Sequence, residues 1–426
     1  MTFSAVATAT IFAISLALLI ARPRWAPEWA AALGGGLLVV VIGVLSPADA
    51  LATLTGAWDV LLFFLGLGLA AATADRAGVF RAAAEAAARF GQGSQRRLLI
   101  GLYAAGVLVT TVLSNDATAL LLTPVSFVVA MRLGVDPRPY AFACALVANA
   151  ASFVLPVSNP ANLLVLTRVP LPLGPFLARL LVPSVLAIAV TLAGLLFVFR
   201  AELATPPEAW AEPRVLLERR TRVALFGIAL LAVGYVVGSA VGWPLGVVAV
   251  IGSLGLLLLD GAVGGWAPRA LLAEMPWTLF PLFGGLLLLV DAAERVGLFA
   301  GLVQLIDASA RLGSNGLPLT LLGVAVLANA INNLPAGLVA ATALGDLPPG
   351  VERSDLAAAV IVGVNLGPNL TTTGSLATMV WLILLRRRGV EVSALEYMRV
   401  GLLVTVPALL AAAGGVWLVA RLIGGG

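Results

Sequence analysis

Histidine and lysine are absent from this 426-residue chain, and cysteine occurs once, at position 144. A single cysteine excludes an intramolecular disulfide and any metal site built from several thiolates. Without histidine, a proton carried near neutral pH has to ride on a carboxylate or on water. All 25 basic residues are arginines of predicted loops, so the positive net charge does not indicate a nucleic-acid surface.

Charge is scarce as well: 11% of the residues are charged and 61% are hydrophobic, with a mean hydropathy of +1.07. A soluble domain of this length needs far more charge on its surface. The composition therefore indicates a polytopic α-helical membrane protein embedded in the lipid bilayer. No phosphate-binding loop, glycine-rich dinucleotide turn or zinc-ligand spacing occurs, so we expect no cofactor, no metal and no ATP hydrolysis within the chain.

Two long apolar runs are each interrupted by a short polar motif. Residues 98–133 contain Ser-Asn-Asp at 114–116, and residues 317–344 contain Asn-Asn-Leu-Pro at 332–335, roughly 216 residues further on. Polar side chains in such runs are costly unless they face protein, water or a ligand. The repetition of the motif therefore points to a function that uses both copies.

Each interrupted run is followed by a second helical run that prolines and polar residues break, at 155–162 and at 368–375. A duplicated pair of broken membrane helices is the sequence pattern of a transporter's central site. We interpret each interrupted run as a re-entrant helical hairpin with the polar motif at its tip. The arms, about 16–17 residues long, leave two full membrane crossings as the alternative.

The predicted fold is an all-α membrane protein of about ten transmembrane helices in two inverted five-helix repeats, each with a re-entrant hairpin and a broken helix. The repeats cover residues 1–200 and 222–426, and residues 201–221 form a polar linker. Nineteen arginines fall on the linker's side of the membrane and six on the other. The positive-inside rule then makes the region 200–222 cytoplasmic and both termini periplasmic.

Inverted halves would bring the hairpin tips and helix breaks together near the membrane midplane, where unwound backbone and helix ends bind solutes. Hydroxyl and amide side chains in these motifs donate and accept hydrogen bonds. We predict that the following bind the substrate: Asn115, Ser158, Asn159, Asn332, Asn333, Thr372, Thr373 and Ser375. Since no arginine lies in the motifs, a small neutral solute fits them better than a dianion. The alternative is that these groups only cap helices and satisfy freed backbone.

Asp116 is the single carboxylate deep in an apolar run, and its counterpart in the second half is an asparagine. An apolar environment disfavours the charged form of a carboxylate, which makes Asp116 the candidate proton carrier. Ligation of Na⁺ is the second reading of this residue. The third is that Asp116 only caps the second arm of its hairpin.

Residues 363–381, with Gly-Ser-Leu-Ala-Thr at 374–378, closely resemble a signature segment of the ArsB family of arsenite efflux permeases, in the ion transporter superfamily. The motifs at 114–120 and 332–335 resemble that family's two hairpin tips, and the resemblance follows the whole chain in order and spacing. The threonine run at 371–373 lacks a proline that is frequent in the family, so the local backbone there is expected to differ.

The resemblance implies an inner-membrane protein that exports trivalent arsenite or antimonite, as neutral hydroxides, in exchange for protons. It also implies optional coupling to a soluble arsenical ATPase. Because the chain has one cysteine, arsenic would be bound as the trihydroxide and not by three thiolates.

Other functions remain open at this point. A Na⁺/H⁺ antiporter of the same superfamily, using Asp116, is the second hypothesis, and uptake of dicarboxylate or sulfate is the third. A membrane-embedded enzyme would need a nucleophile with a base or a metal site, which the absence of histidine and the single cysteine do not favour, so we expect no enzyme. A purely structural role gives no reason for two matching polar breaks.

Overall fold

The first half of the chain folds into helices separated by short loops. The computed structural model describes residues 3–21, 23, 26–205, 217–266 and 268–424, so residues 206–216 of the predicted linker lie outside the described residues, as do Arg22 and Arg24. The α-helices of the first half are α1 (Phe3–Ala21), α2 (Glu28–Val41), α3 (Pro47–Gly56), α4 (Trp58–Arg76), α5 (Val79–Gly91), α6 (Gln95–Val112), α7 (Asn115–Ala117), α8 (Thr123–Arg132), α9 (Arg138–Ala150), α10 (Pro160–Arg168) and α11 (Leu173–Val198).

The second half follows the same order of elements. Its α-helices are α12 (Arg219–Ala240), α13 (Leu245–Gly264), α14 (Pro268–Glu274), α15 (Leu279–Arg295), α16 (Ala300–Arg311), α17 (Leu317–Ile331), α18 (Asn333–Gly345), α19 (Ser354–Leu366), α20 (Leu376–Arg387) and α21 (Ala394–Gly424). Even the short helices α3 and α14 occupy matching places, before α4 and α15. Sequence analysis did not anticipate α3, although its start carries a capping signal: Ser46 and Asp49 form a capping box around Pro47.

Polar residues start the helix again after each interruption. The side chains of Ser114 and Asn332 accept backbone N–H groups at the starts of α7 and α18. Those of Asn159 and Ser375 do the same at the starts of α10 and α20. Because an N-cap acceptor satisfies an otherwise orphaned N–H group, polar residues are favoured at these four points for helix formation alone.

The first interrupted run doubles back on itself as a helical hairpin. The hydroxyl groups of Thr110 on α6 and Thr118, just past α7, are hydrogen-bonded at 2.7 Å. A Cβ at Gly106 would lie 3.6 Å from the Thr118 methyl and 3.7 Å from Leu122, which a straight helix would carry far from Gly106. Residues 118–122 form a π-helical turn that links α7 to α8. α17 and α18, the arms of the second interrupted run, likewise pack against each other.

Helices of the first half pack directly against helices of the second half. α4 packs against α13, and α2 packs in the matching way against α15. Glycines permit both contacts: a Cβ at Gly66 would lie 2.4 Å from the Ala249 carbonyl carbon, and one at Gly285 would lie 2.3 Å from that of Ala32. The long helices α11 and α21 pack together in the same reciprocal manner. The core is therefore shared between the halves.

Several of these helices are suited to a membrane. Seven helices among the described residues are long and apolar enough to span a bilayer. Their outward faces carry large apolar side chains, such as Leu230 and Val237 on α12 and Leu402 and Leu410 on α21. The prediction of an all-helical membrane protein is confirmed. The number of crossings and the inversion of the halves stay predictions.

Candidate functional site

Asn365 is the hub of a buried polar network that joins the two helix breaks. The first break covers residues 151–159, between α9 and α10, and the second covers 367–375, between α19 and α20. The side-chain carbonyl oxygen of Asn365 accepts hydrogen bonds from the Ser152 hydroxyl at 2.6 Å and from the Asn159 side-chain amide at 2.7 Å. Its own amide donates to Asn162 at 2.7 Å. One side chain of the second half thus holds three of the first.

A second bridge runs in the opposite direction, from the first half to the second break. The Asn149 amide donates to the Asn369 carbonyl oxygen at 2.8 Å, and the Asn369 amide donates to the Leu146 carbonyl at 2.9 Å. Asn149 and Asn369 are fully buried, and the carbonyl oxygen of the Asn149 side chain has no hydrogen-bond partner among the residues that the structure describes. The two breaks are therefore fixed to each other from both sides.

The second hairpin tip, residues 332–333, is bonded to the second break. The Asn333 backbone N–H donates to the Gly374 carbonyl at 2.8 Å, and the Asn332 amide donates to the Thr373 carbonyl at 3.1 Å. Asn332 adopts φ +77°, which residues with a side chain rarely populate. One turn earlier, Asn329 accepts from the Thr371 hydroxyl at 2.8 Å. The second tip and the second break form one closed polar unit.

The first hairpin tip, residues 113–116, is polar but less completely bonded. Asn115 is buried, and within the described part of the chain its side-chain carbonyl oxygen has no hydrogen-bond partner. No hydrogen bond or ion pair from the described residues reaches the Asp116 carboxylate. α7 packs against α20, which brings this tip to the end of the second break. The first tip therefore offers free acceptor oxygens, whereas the polar groups of the second tip and the second break are hydrogen-bonded to each other.

Asp116 faces a cavity of about 260 Å³, here called the first cavity. The walls come from α4, the segment around α14, and the first hairpin. Ser114 also lines it, while Asn115 does not. A carboxylate that lines such a cavity can exchange a proton or bind a cation without unfolding the hairpin.

A second cavity, of about 500 Å³, lies between α3, α15 and the end of α10. Ion pairs surround it: Arg168 with Glu294 at 3.8 Å, and Arg295 with Asp291 at 2.9 Å. Beside it, hydrogen bonds from Ser46 and then Arg295 lower the pKa of Asp49. Neither Asn332 nor Asn333 lines this cavity. Among the residues of the two hairpin tips, only those of the first line one of these two cavities.

The predicted substrate-binding residues separate into two groups. Ser158, Asn159 and Ser375 are fully engaged within the fold: Ser158 bonds Thr111 and Leu155, Asn159 bonds Asn365 and Ala161, and Ser375 caps α20. In the second group, Asn115 keeps a free acceptor, Thr372 and Thr373 lie partly exposed in the second break, and Asn332 and Asn333 hold the second tip. Sequence analysis could not separate a cap from a contact, because both need the same residue types.

Several members of the polar network are not among the predicted substrate-binding residues: Asn149, Ser152, Asn162, Asn329, Asn365, Asn369 and Thr371. Ser152 and Asn329 had a signal in the sequence, since each stands three residues from another asparagine, one helical turn away on the same face. Ser152 follows Asn149, and Asn329 precedes Asn332. Their bonds to the other half could not be read from that spacing.

A membrane-embedded helical core with two broken helices pinned by amides, and two polar hairpin tips beside them, defines the class of a membrane transporter. The chain belongs to the citrate transporter family, CitMHS, whose model matches residues 16–363. The predicted resemblance to the ArsB family is confirmed as well. An arsenical pump membrane protein of Escherichia coli K12 is 28% identical over 417 residues, covering 94% of this chain and 95% of that protein.

Further relatives extend the comparison. The arsenical pump membrane protein of Yersinia enterocolitica is 28% identical over 418 residues, covering 94% of this chain and 95% of that one. A 46 kDa membrane protein of Mycobacterium leprae is 28% identical over 424 residues, covering 96% and 97%. In fold, the chain is similar to the crystal structure of the Alcanivorax borkumensis YdaH transporter, with a TM-score of 0.57 and 18% identity over 99% of this chain and 98% of that one. These are transporters or membrane proteins, and the chain is a multi-pass membrane transporter, not an enzyme.

Proposed function

We propose that this protein exports trivalent arsenite or antimonite, as the neutral hydroxide, across the inner membrane in exchange for protons. The observation that carries the proposal is the free carboxylate of Asp116, which faces the first cavity at a hairpin tip. The arsenical pump relatives, which align over nearly the whole chain, supply the substrate. The proposal includes the inverted repeats 1–200 and 222–426, joined by a cytoplasmic linker at 201–221, and optional coupling to a soluble arsenical ATPase.

In this mechanism, Asp116 carries the proton and the neighbouring polar groups hold the hydroxide. Asn115 offers its unpartnered oxygen to a hydroxyl of the solute, which can donate. The partly exposed hydroxyls of Thr372 and Thr373 provide further donors and acceptors, beside Asn332 and Asn333 at the second tip. Ser158, Asn159 and Ser375 shape the backbone around the solute. Protonation of Asp116 removes the charge that would otherwise have to be moved through an apolar environment.

Transport into everted membrane vesicles tests the coupling. With the vesicle interior made acid, arsenite uptake should rise with the proton gradient, and Asp116→Asn should reduce the gradient-driven part at least tenfold, because the amide cannot release a proton. Asp307→Asn is the matched control, since Asp307 pairs with Arg311 on the surface of α16, and it should retain uptake. Uptake that ignores the gradient, or that persists in Asp116→Asn, contradicts the proposed role.

A Na⁺/H⁺ antiporter is the second candidate function. The oxygens of Asn115 and Asp116 at the first tip are of the kind that bind Na⁺, which favours this reading. Addition of Na⁺ to acid-loaded vesicles would then raise the internal pH, reported by an entrapped dye, and arsenite would have no effect on the signal. A pH change that requires arsenite supports the first proposal over this one.

A further inference from the structure

Among the described residues, acidic side chains line the first cavity and no basic side chain does. Its charged residues are Asp116 on the hairpin, Asp75 near the end of α4, and Glu274 at the end of α14. The remaining lining is apolar or small except for Ser114, with Phe64 and Leu279 among the larger side chains. Three carboxylates therefore share one cleft whose walls have little polarity of their own.

Asp75 and Glu274 lie at the mouth, where both are exposed, while Asp116 is only partly exposed. Two guanidinium groups lie nearby and neither lines the cavity. Arg76 pairs with Glu274 at 3.3 Å, and Arg81 interacts electrostatically with Asp75. No hydrogen bond or ion pair from the described residues reaches the Asp75 carboxylate. The carboxylates of Asp75 and Glu274 thus line the mouth, while the two guanidinium groups that match them in number lie outside the lining.

The second cavity provides an internal comparison, because the charged residues that line it are balanced in sign. Asp291 and Glu294 line it together with Arg295 and Arg168, so acidic and basic side chains are equal in number. α15 forms the wall there as α4 does in the first cavity, and Glu294 holds the place in α15 that Asp75 holds in α4. The two cavities therefore differ in that arginines line the second and do not line the first.

Charges of one sign in a low-dielectric cleft focus the field and change the local concentration of ions. We propose that Asp75 and Glu274 form an anion-excluding mouth, which admits neutral hydroxides and cations to Asp116 and repels carboxylate anions. A citrate-like substrate would then be rejected at this entrance, although the family is described by citrate transport. This assignment rests on the proposed function in one respect: it takes the first cavity to be the route to the transport site.

Charged thiol reagents test the mouth without any transport. In a Cys144→Ala background, Ala71→Cys places one thiol in the wall of the first cavity. The rate at which this thiol is modified is measured with a cationic and with an anionic methanethiosulfonate. Each rate is divided by the rate of the same reagent with a free thiol in solution, and the ratio of the two results is the corrected ratio. The corrected ratio should favour the cationic reagent about 10-fold, and Asp75→Asn with Glu274→Gln should bring it to about 1.

Ala57→Cys in the second cavity is the matched control and should give a corrected ratio of about 1 with the wild-type mouth. Leu121→Cys, on the hairpin side of the first cavity, repeats the measurement in case Ala71→Cys does not fold. High salt should also reduce the preference, because it screens exposed charges. A corrected ratio near 1 at both first-cavity positions overturns the anion-excluding mouth. A cationic preference without proton-coupled arsenite uptake leaves the mouth established and rejects the proposed function.

Discussion

At the scale of single residues, one amide side chain joins the two halves of the protein. Asn365 uses both ends of its carboxamide and has no exposed surface. A buried polar group that loses its partner costs about 1–3 kcal/mol, so the effect of a substitution depends on how many partners it leaves. Asn365 has three side-chain partners in the first half, while the Asn149 side chain bonds Asn369 alone.

Asn365→Ala should leave the Asn159 amide and the Asn162 side-chain oxygen without partners, while Ser152 keeps its bond to the Asn149 backbone carbonyl. Asn149→Ala strands one group, so we expect a destabilisation of roughly 2–6 kcal/mol for Asn365→Ala against roughly 1–3 kcal/mol for Asn149→Ala. Thermal unfolding in detergent, followed for both variants, measures the order. Asn315→Ala is the control, because the Asn315 side chain accepts hydrogen bonds from Trp417 and Arg421 at the surface. Equal melting temperatures for Asn365→Ala and Asn315→Ala would contradict the role of the hub.

The positions of these polar residues could be predicted, but their partners could not. An asparagine in an apolar run has to be satisfied, which is visible in the sequence at Asn149 and Asn365. Which atom satisfies it depends on the packing of residues more than 200 positions apart. The same limit applies to Ser158 and Ser375, since a helix cap and a ligand contact require the same hydroxyl.

At the scale of helices, α2 and α15 approach closely because small residues face each other. A Cβ at Gly36 would lie 2.8 Å from the Gly285 carbonyl oxygen, whereas one at Gly34, half a turn away, would meet nothing within 4 Å. Alanine in place of glycine favours a helix by about 1 kcal/mol at either position. Only the packing differs between them.

Gly36→Ala should lower the stability of the protein, while Gly34→Ala should leave it unchanged or raise it by up to about 1 kcal/mol. The two glycines lie in the same helix, two residues apart, so each variant serves as the control for the other. Their melting temperatures in the same detergent decide the point. If the Gly36→Ala protein were as stable as the Gly34→Ala protein, α2 and α15 could move apart without a loss of stability, which would contradict the prediction.

The helices themselves were largely predictable, because apolar runs fix their lengths and prolines fix their breaks. α3 was missed, since ten residues of mixed polarity carry no membrane signal, and only its capping box marks it. The π-helical turn at residues 118–122 was not predicted either. Its only sequence cue is Pro124, which lacks the N–H that would donate to Leu120 in a regular α-helix.

At the scale of the whole molecule, the arginines predict the orientation in the membrane. The loop after α18 carries Arg353 and belongs to the side with few arginines, and the loop after α20 follows Arg386, Arg387 and Arg388. The positive-inside rule predicts that the second of these loops is cytoplasmic and that the first is periplasmic. Glu352 and Glu391 are exposed residues of the two loops.

In a Cys144→Ala background, a membrane-impermeant maleimide added to intact cells should label Glu352→Cys and leave Glu391→Cys unlabelled. Permeabilised cells should label both, which controls for the accessibility of each thiol. The opposite pattern would invert the proposed topology, and labelling of both in intact cells would place the two loops on one side.

The exchange of scaffold helices between the halves has a consequence for how the sequence can change over evolutionary time. Gly66 in one half has no space for a side chain because of Ala249 in the other, and Gly285 meets Ala32 under the same restriction. Neither half is therefore free to change alone along these seams. A larger residue at Gly66 or Gly285 becomes tolerable only if the facing helix of the other half moves away from it.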